Sequence, residues 1–326
     1  MKLRYFNDAA APGSWNMAVD ETLGESLGHN PDAAFLRIYR WSPPTLSFGY
    51  NQRLDSLIDH AAALNHGYGL VRRATGGKMV FHNIELTFSL GFSVEFLKSP
   101  SNHNFLQMFR AALEPLVEAL KLAGVPAEFA SPQRQRTSSS IHCYAAAAGH
   151  SIYADDTKLI GAAALHRKVA SSSPILSGPP FVEASAKKKA PKSVSVIPGL
   201  DPESKSAVPP QPVAVPTNTD YMMIHGSIPI KSTYPAAEIF LKPAGSAIPM
   251  AELSSYLSDE QIITLPELIA TTYQNCFDLP LIAGKLSAAE KDYSTSLATN
   301  KYSNLNWPGK TSSAPKVIIA PEYTSG

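Results

Sequence analysis

The chain has 326 residues, 44% of them apolar, with 28 basic and 27 acidic side chains and a formal net charge of +1. That suits one large domain or two ordinary ones with a substantial core, and the balance of charge argues against a general binder of nucleic acid or of membrane surfaces. Two cysteines, Cys143 and Cys276, with no CxxC pair, no apolar run of membrane-spanning length and no secretory leader argue against disulfides, a metal site and export, and point to a reducing cytoplasm.

In chain order, WNMAVDETLGESLG (15–28) spaces Met17, Ala18, Leu23 and Leu27 for a helix behind a Ser14 cap. FLRIYRW (35–41) and TLSFGY (45–50) read as strands on either side of the Pro43–Pro44 break. DSLIDHAAALNHG (55–67) reads as a helix with Asp55 as cap and Gly67 as terminator. GLVRRAT, KMVFHN and ELTFSLGFS follow as short strands. The pattern of 102–124 predicts the longest helix, ending at Gly124 and kinked or split at Pro115. Residues 150–168 predict a hairpin turning at Asp155–Asp156.

Residues 169–220 change character, holding ten of the 27 prolines together with serines and a Lys187–Lys189 run. Such a composition buries little apolar surface and predicts a disordered or extended insertion. YMMIHGSIPI (221–230) restores strand character, and helical patterns follow at LPELIATTYQNCF and SAAEKDYSTSLATNKYS. Together these elements predict an α+β fold with a mixed or antiparallel sheet packed with helices. A catalytic domain over 1–245, interrupted by the insertion, would precede a helical part and tail over 246–326.

The chemistry concentrates in VRRATGGKMVFHNIELTFS (71–89). Gly76 and Gly77 let backbone approach a ligand closely, and Arg72 and Arg73 offer guanidinium donors for a carboxylate or phosphate. On strand geometry only one of the two arginines can face a pocket. His82 could line the same cavity. A plain Gly-Gly hairpin with surface arginines fits the spacing equally well.

This stretch closely resembles the RRxTGGxxVxHxxELTxS signature of the biotin/lipoate A/B protein ligase superfamily, most of all its octanoyltransferase branch. NMAVDETL (16–23), LRIYRWSPPTLSFGYNQ (36–52), DDTKLIGAAALHR (155–167), HGSIPI (225–230) and KYSNLNW (301–307) resemble further family blocks in order. The resemblance implies that Arg72, Arg73, Thr75, Gly76, Gly77, His82, Gly161 and His225 wall an acyl pocket. It implies that Lys158 is the pocket cation and that Cys143, fifteen residues earlier, is the nucleophile, with His142 and Lys158 helping its ionisation. Cys276 reads as core. The family's G-S-A-Q becomes GAAA at 161–164, which removes two polar side chains.

What the resemblance implies is transfer of an octanoyl or lipoyl group from octanoyl-acyl-carrier protein to a lysine of a lipoyl domain, or of the glycine-cleavage carrier protein, through a cysteine thioester. No cofactor, nucleic acid or membrane would be involved, and the protein would be a monomer. Two alternatives remain open. An ATP- and Mg2+-dependent lipoate–protein ligase would form lipoyl-adenylate and need no cysteine; an inactive relative would act as a binding protein.

Overall fold

The computed structural model of the chain describes residues 1–30, 32–52, 58–98, 104–131, 151–167, 219–231, 250–305 and 307. The described strands are β1 (Lys2–Ala11), β2 (Ala33–Trp41), β3 (Thr45–Phe48), β4 (Gly69–Arg72), β5 (Val80–His82), β6 (Glu85–Ser93), β7 (Ala127–Phe129), β8 (Ile152–Ala154), β9 (Thr157–Arg167), β10 (Tyr221–Pro229) and β11 (Leu281–Ala283). Eight form one mixed sheet in the order β11-β1-β2-β6-β10-β9-β8-β7, and β4-β3-β5 form a second. β1 runs parallel to both of its neighbours; from β2 to β7 every pairing in the large sheet is antiparallel.

Side chains on a strand alternate between faces, and here the alternation separates core from polar network. Ala34, Leu36 and Ile38 of β2, Leu86, Phe88, Leu90 and Phe92 of β6, and Met222, Ile224 and Ile228 of β10 all join one apolar cluster. Helices α4 (Phe105–Ala123) and α5 (Asp259–Phe277) cover that face. The intervening residues, among them Arg37, Tyr39, Glu85, Thr87, His225 and Ser227, are buried on the opposite face, where α1 (Gly13–His29) lies.

α1 explains itself differently from its amphipathic pattern. Asn16, Asp20, Glu21, Thr22 and Glu25 are buried along with Met17, Ala18, Val19 and Leu23, so its polar side is as enclosed as its apolar one. Buried polar groups require partners. Asn16 Nδ2 donates to Ala11 O at 3.1 Å and Arg40 O at 3.0 Å. Glu21 accepts from Arg167 Nη1 at 2.8 Å, Lys301 Nζ at 2.6 Å and the Tyr302 hydroxyl at 2.6 Å. Helix α6 (Ala288–Leu297) carries the chain into the turn that holds Lys301 and Tyr302. The helix therefore ties the end of β9 to the C-terminal segment.

Several boundaries differ from expectation. The N-cap of α1 is Pro12, not Ser14, and no side chain caps it. The second helix, α2, is His60–Asn65 with Asp59 as cap, its side chain accepting from Ala62 N; Asp55 lies outside the described residues. α4 runs unbroken through Pro115, held by the buried Leu113, Leu116 and Leu120 on its core side, with a capping box at Asn104 and left-handed Gly124 at its end. The strand at 45–50 stops at Phe48, where the chain turns. β1, β7 and β11 were not expected. A short α3 (Val94–Leu97) follows β6. The hairpin turns where expected, with Asp155 at φ 51°. Segment 169–218 of the expected insertion lies outside the described residues. α5 shares the core of the main sheet, and its Tyr273 hydroxyl donates to Ala112 O at 2.9 Å.

The Glu21 cluster makes a direct prediction. Burial pushes its carboxyl up, but Lys301 and Arg167 overcome this and hold it down at about 2. Its stabilisation is thus complete above the ordinary glutamate value and fades as pH falls toward about 2. Glu21→Gln, which strands two cations around a neutral amide, should lower the unfolding free energy by about 3 kcal/mol at neutral pH and flatten that acid loss, as read by denaturant titration at several pH values.

Candidate functional site

The Thr75–Gly77 turn begins the site. Gly77 takes φ 91°, a left-handed conformation that side chains resist, and a Cβ on Gly49 would overlap the Gly77 carbonyl. Two glycines therefore let the turn lie flat against the end of β3. The two preceding arginines divide. Arg72, buried, turns away from the cavity, donating Nη1 to Gly49 O at 3.0 Å, Tyr50 O at 3.0 Å and Gln52 O at 2.7 Å, and Nε to Leu305 O at 3.1 Å. Arg73 turns inward. Its Nη1 donates to Ser47 O at 2.8 Å and Ser47 Oγ at 2.6 Å, and its Nη2 to Lys78 O at 2.8 Å and Gly76 O at 3.3 Å.

Beneath this turn lies a cavity of about 380 Å3, counting its open mouth. Its enclosed part is far smaller, about 30 Å3. Its wall includes Met17 from α1, Tyr39 and Trp41 from β2, Arg73, Gly77, Val80, His82, Thr87, Gly161 to Ala163 from β9, and His225 to Ser227 from β10.

Most of the wall's polar side chains bond to one another. His82 Nδ1 donates to Glu85 Oε1 at 2.7 Å, and the carboxylate fixes the proton on that nitrogen; Nε2 lies 2.5 Å from Ser47 Oγ. Glu85 also accepts from the Thr87 hydroxyl at 2.5 Å and from Ser227. Trp41 Nε1 donates to Thr87 Oγ1 at 2.7 Å, and its ring stacks on His82 at 4.0 Å. His225 Nε2 lies 2.6 Å from Thr75 Oγ1 and its Nδ1 lies 3.5 Å from Asp20. Asp20 in turn accepts from Arg37 Nη1 and the Tyr39 hydroxyl, both at 2.8 Å. With their heteroatoms engaged in one another, these residues offer the cavity mostly carbon.

Arg73, Gly77, His82, Gly161 and His225 therefore meet at one cavity. Thr75 and Gly76 stand behind the wall, and Arg72 faces away. Lys158 is buried but is not part of the wall among the described residues. A register shift opposite Ile152 and Tyr153 sends both Leu159 and Ile160 into the core, and so leaves Lys158 on the same face as Gly161. Cys143 and His142 lie outside the described residues, and Cys276 is exposed rather than core. Of the GAAA run, Ala164 packs in the core, whereas Ala162 touches both core and cavity. Sequence reasoning missed Met17, Tyr39, Trp41, Ser47, Glu85, Thr87 and Ser227. The signal was present in Glu85, Thr87 and Ser227, polar residues at alternate positions of otherwise apolar strands.

Burial pushes the Asp20 carboxyl up, but His225 and Arg37 hold it below its ordinary value. Burial also pushes His225 down, more than Asp20 lifts it. The pair rests as carboxylate and neutral imidazole. A depressed histidine makes the unfolded chain the better proton binder, so stability should fall as pH drops from about 6.5. His225→Gln, which still reaches Thr75, should show a shallower decline between about pH 7 and 5 in thermal or denaturant unfolding.

Residues 12–173 match the family model of the lipoyl protein ligase A/B catalytic domain. The octanoyltransferase LipM of Kyrpidia tusciae is 36% identical over 167 residues, 49% of this chain and 60% of that protein. That of Geobacillus kaustophilus is 32% identical over 171 residues, 51% of this chain and 61% of the relative. The chain thus covers about three fifths of the length of these curated relatives. Lipoate-protein ligase A bound with ATP superposes with a TM-score of 0.64 at 18% identity, covering 94% of this chain and 98% of that one. The bipartite lipoate protein ligase of Thermoplasma acidophilum, described with its E2 lipoyl domain, gives 0.61 at 16% identity, covering 94% and 96%. At those identities the likeness is one of fold. Among the described residues no helix is long and apolar enough to cross a membrane.

Proposed function

The chain belongs to the lipoyl protein ligase A/B catalytic-domain family, and from that premise we propose that it is an acyltransferase of protein lipoylation. It moves an octanoyl (or lipoyl) group from acyl-carrier protein to a lysine of lipoyl domains of 2-oxoacid dehydrogenases or of the glycine-cleavage carrier. It works in the cytoplasm as a monomer. The observation that carries this reading is the cavity under the Thr75–Gly77 turn, whose polar wall residues satisfy one another and leave a carbon-lined space for an alkyl chain. The similarity to octanoyltransferases LipM supports the choice of acyl group.

The reaction has two halves. The Cys143 thiolate attacks the donor thioester carbonyl; the carrier thiolate leaves and takes a proton, and an acyl-enzyme thioester remains. The acceptor lysine, as free amine, then attacks that carbonyl. An amide forms, the Cys143 sulfur leaves, and the proton lost by the amine nitrogen returns to it. Thioester exchanges for thioester and then for the more stable amide, so no nucleotide or metal is consumed. Lys158 supplies a cation for the oxyanion of each tetrahedral intermediate. Arg73 and its hydrogen bonds hold the turn that roofs the chain.

Incubation with octanoyl-acyl-carrier protein should raise the protein's mass by one octanoyl group, localised to Cys143 and released by hydroxylamine. Cys143→Ala should abolish the adduct and slow amide formation at least about a thousandfold. Lys158→Ala should slow both halves by about 10²–10³. Product formed only with free lipoate and ATP, and surviving Cys143→Ala, would replace the transferase by the ligase.

A further inference from the structure

We propose that Met17 is the specificity-determining residue that sets the acyl-chain length the cavity accepts, an inference that rests on the acyl-transfer reading above. The cavity has a direction. Gly77 in its wall is exposed, whereas Tyr39 at 0% and Met17, Thr87 and Ser227 at 2% exposure are buried. An acyl chain whose carbonyl reacts near the turn points its methyl end toward these buried side chains, Met17 among them.

The other large side chains of the wall are fixed. Tyr39 donates its hydroxyl to Asp20 at 2.8 Å and lies 4.1 Å beneath the Arg37 guanidinium. Trp41 is pinned at Nε1 by Thr87 and across its face by His82. His82, His225 and Arg73 are each held through more than one atom. Val80 is β-branched and stiff, and the glycines and alanines have no reach. Met17 is long, unbranched and without a polar handle, so it is the soft part of a rigid wall. The backbone beneath it cannot adjust: Asn16 and Asp20 on the same helix are bonded to the ends and interior of β1 and β2. The room the cavity offers therefore follows the volume of this one side chain.

The test uses the full-length protein and acyl-carrier-protein thioesters from hexanoyl to dodecanoyl, with kcat/KM of transfer to a lipoyl domain measured for each. Met17→Ala should move the optimum about two carbons longer and raise the decanoyl-to-octanoyl ratio about tenfold or more. Met17→Phe should move it toward hexanoyl. Should the alanine variant fail to fold, Met17→Val makes a smaller space and should shift the ratio in the same direction. Length profiles that stay parallel to the wild type in Val and Phe variants overturn the role of Met17 while leaving acyl transfer intact. A wild-type protein that transfers no acyl group of any length overturns the transferase reading and the role of Met17 with it.

Discussion

The ion pair between Arg37 and Asp20 is the interaction on which the site depends. Both side chains are almost wholly buried, at 0% and 1% exposure, and their Nη1–Oδ1 distance is 2.8 Å. A buried pair repays its desolvation only when its remaining hydrogen-bonding capacity is filled. Here Arg37 also reaches Asp8, Asn16 O and Asn16 Oδ1, while Asp20 takes the Tyr39 hydroxyl and faces His225. The pair thus fixes α1 on β2 and, through His225, reaches Thr75 in the turn above the cavity. The geometry of the roof is set from the α1 side of the sheet.

A second consequence concerns polarity. Leucine and valine are the usual wall for the alkyl chain proposed above, yet this wall includes two histidines, an arginine, a threonine and a serine. Apolar side chains would line it, but would not fix its shape. Hydrogen-bonded side chains have fewer rotamers open to them, and in a low-dielectric interior each bond is stronger than in water. Glu85 serves as the common acceptor for His82, Thr87 and Ser227. The result is a surface of carbon on a rigid polar frame.

Much of this was legible in the sequence, and the failures have physical causes. The strands β2, β6 and β10 show their alternation or apolar runs directly, and the glycine turn, the hairpin at Asp155 and the capped helix at 105–123 follow from local residue chemistry. β1 was illegible because it is half-buried and pairs in parallel with β2 and with the distant β11, so KLRYFNDAAA carries no clean period. The site residues that were found lie within contiguous motifs. Those that were missed, such as Met17 and Tyr39, belong to the cavity only because α1 crosses beneath β2, which is a tertiary fact. Lys158 shows the same limit: its face is decided by an extra residue in β9, and strict alternation would have put it in the core with Ile160.

Arg72 and Arg73 carry this further, since neighbours of identical chemistry do opposite things. Alternation carried one residue past β4 turns Arg73 into the cavity wall and the equally buried Arg72 away from it, where it gathers three carbonyls of the 49–52 turn and one from Leu305. Leu305 belongs to the C-terminal segment that Lys301 and Tyr302 anchor to Glu21, and whose Trp307 ring packs edge-on to Tyr50 and to Tyr302. That segment is remote in sequence from the glycine turn, and it touches the cavity nowhere among the described residues. It nevertheless braces the outside of the loop that Arg73 braces from within. The C-terminal tyrosine and tryptophan thus act on the site through mechanics, because a turn built on two glycines has little stiffness of its own and must be held from both sides.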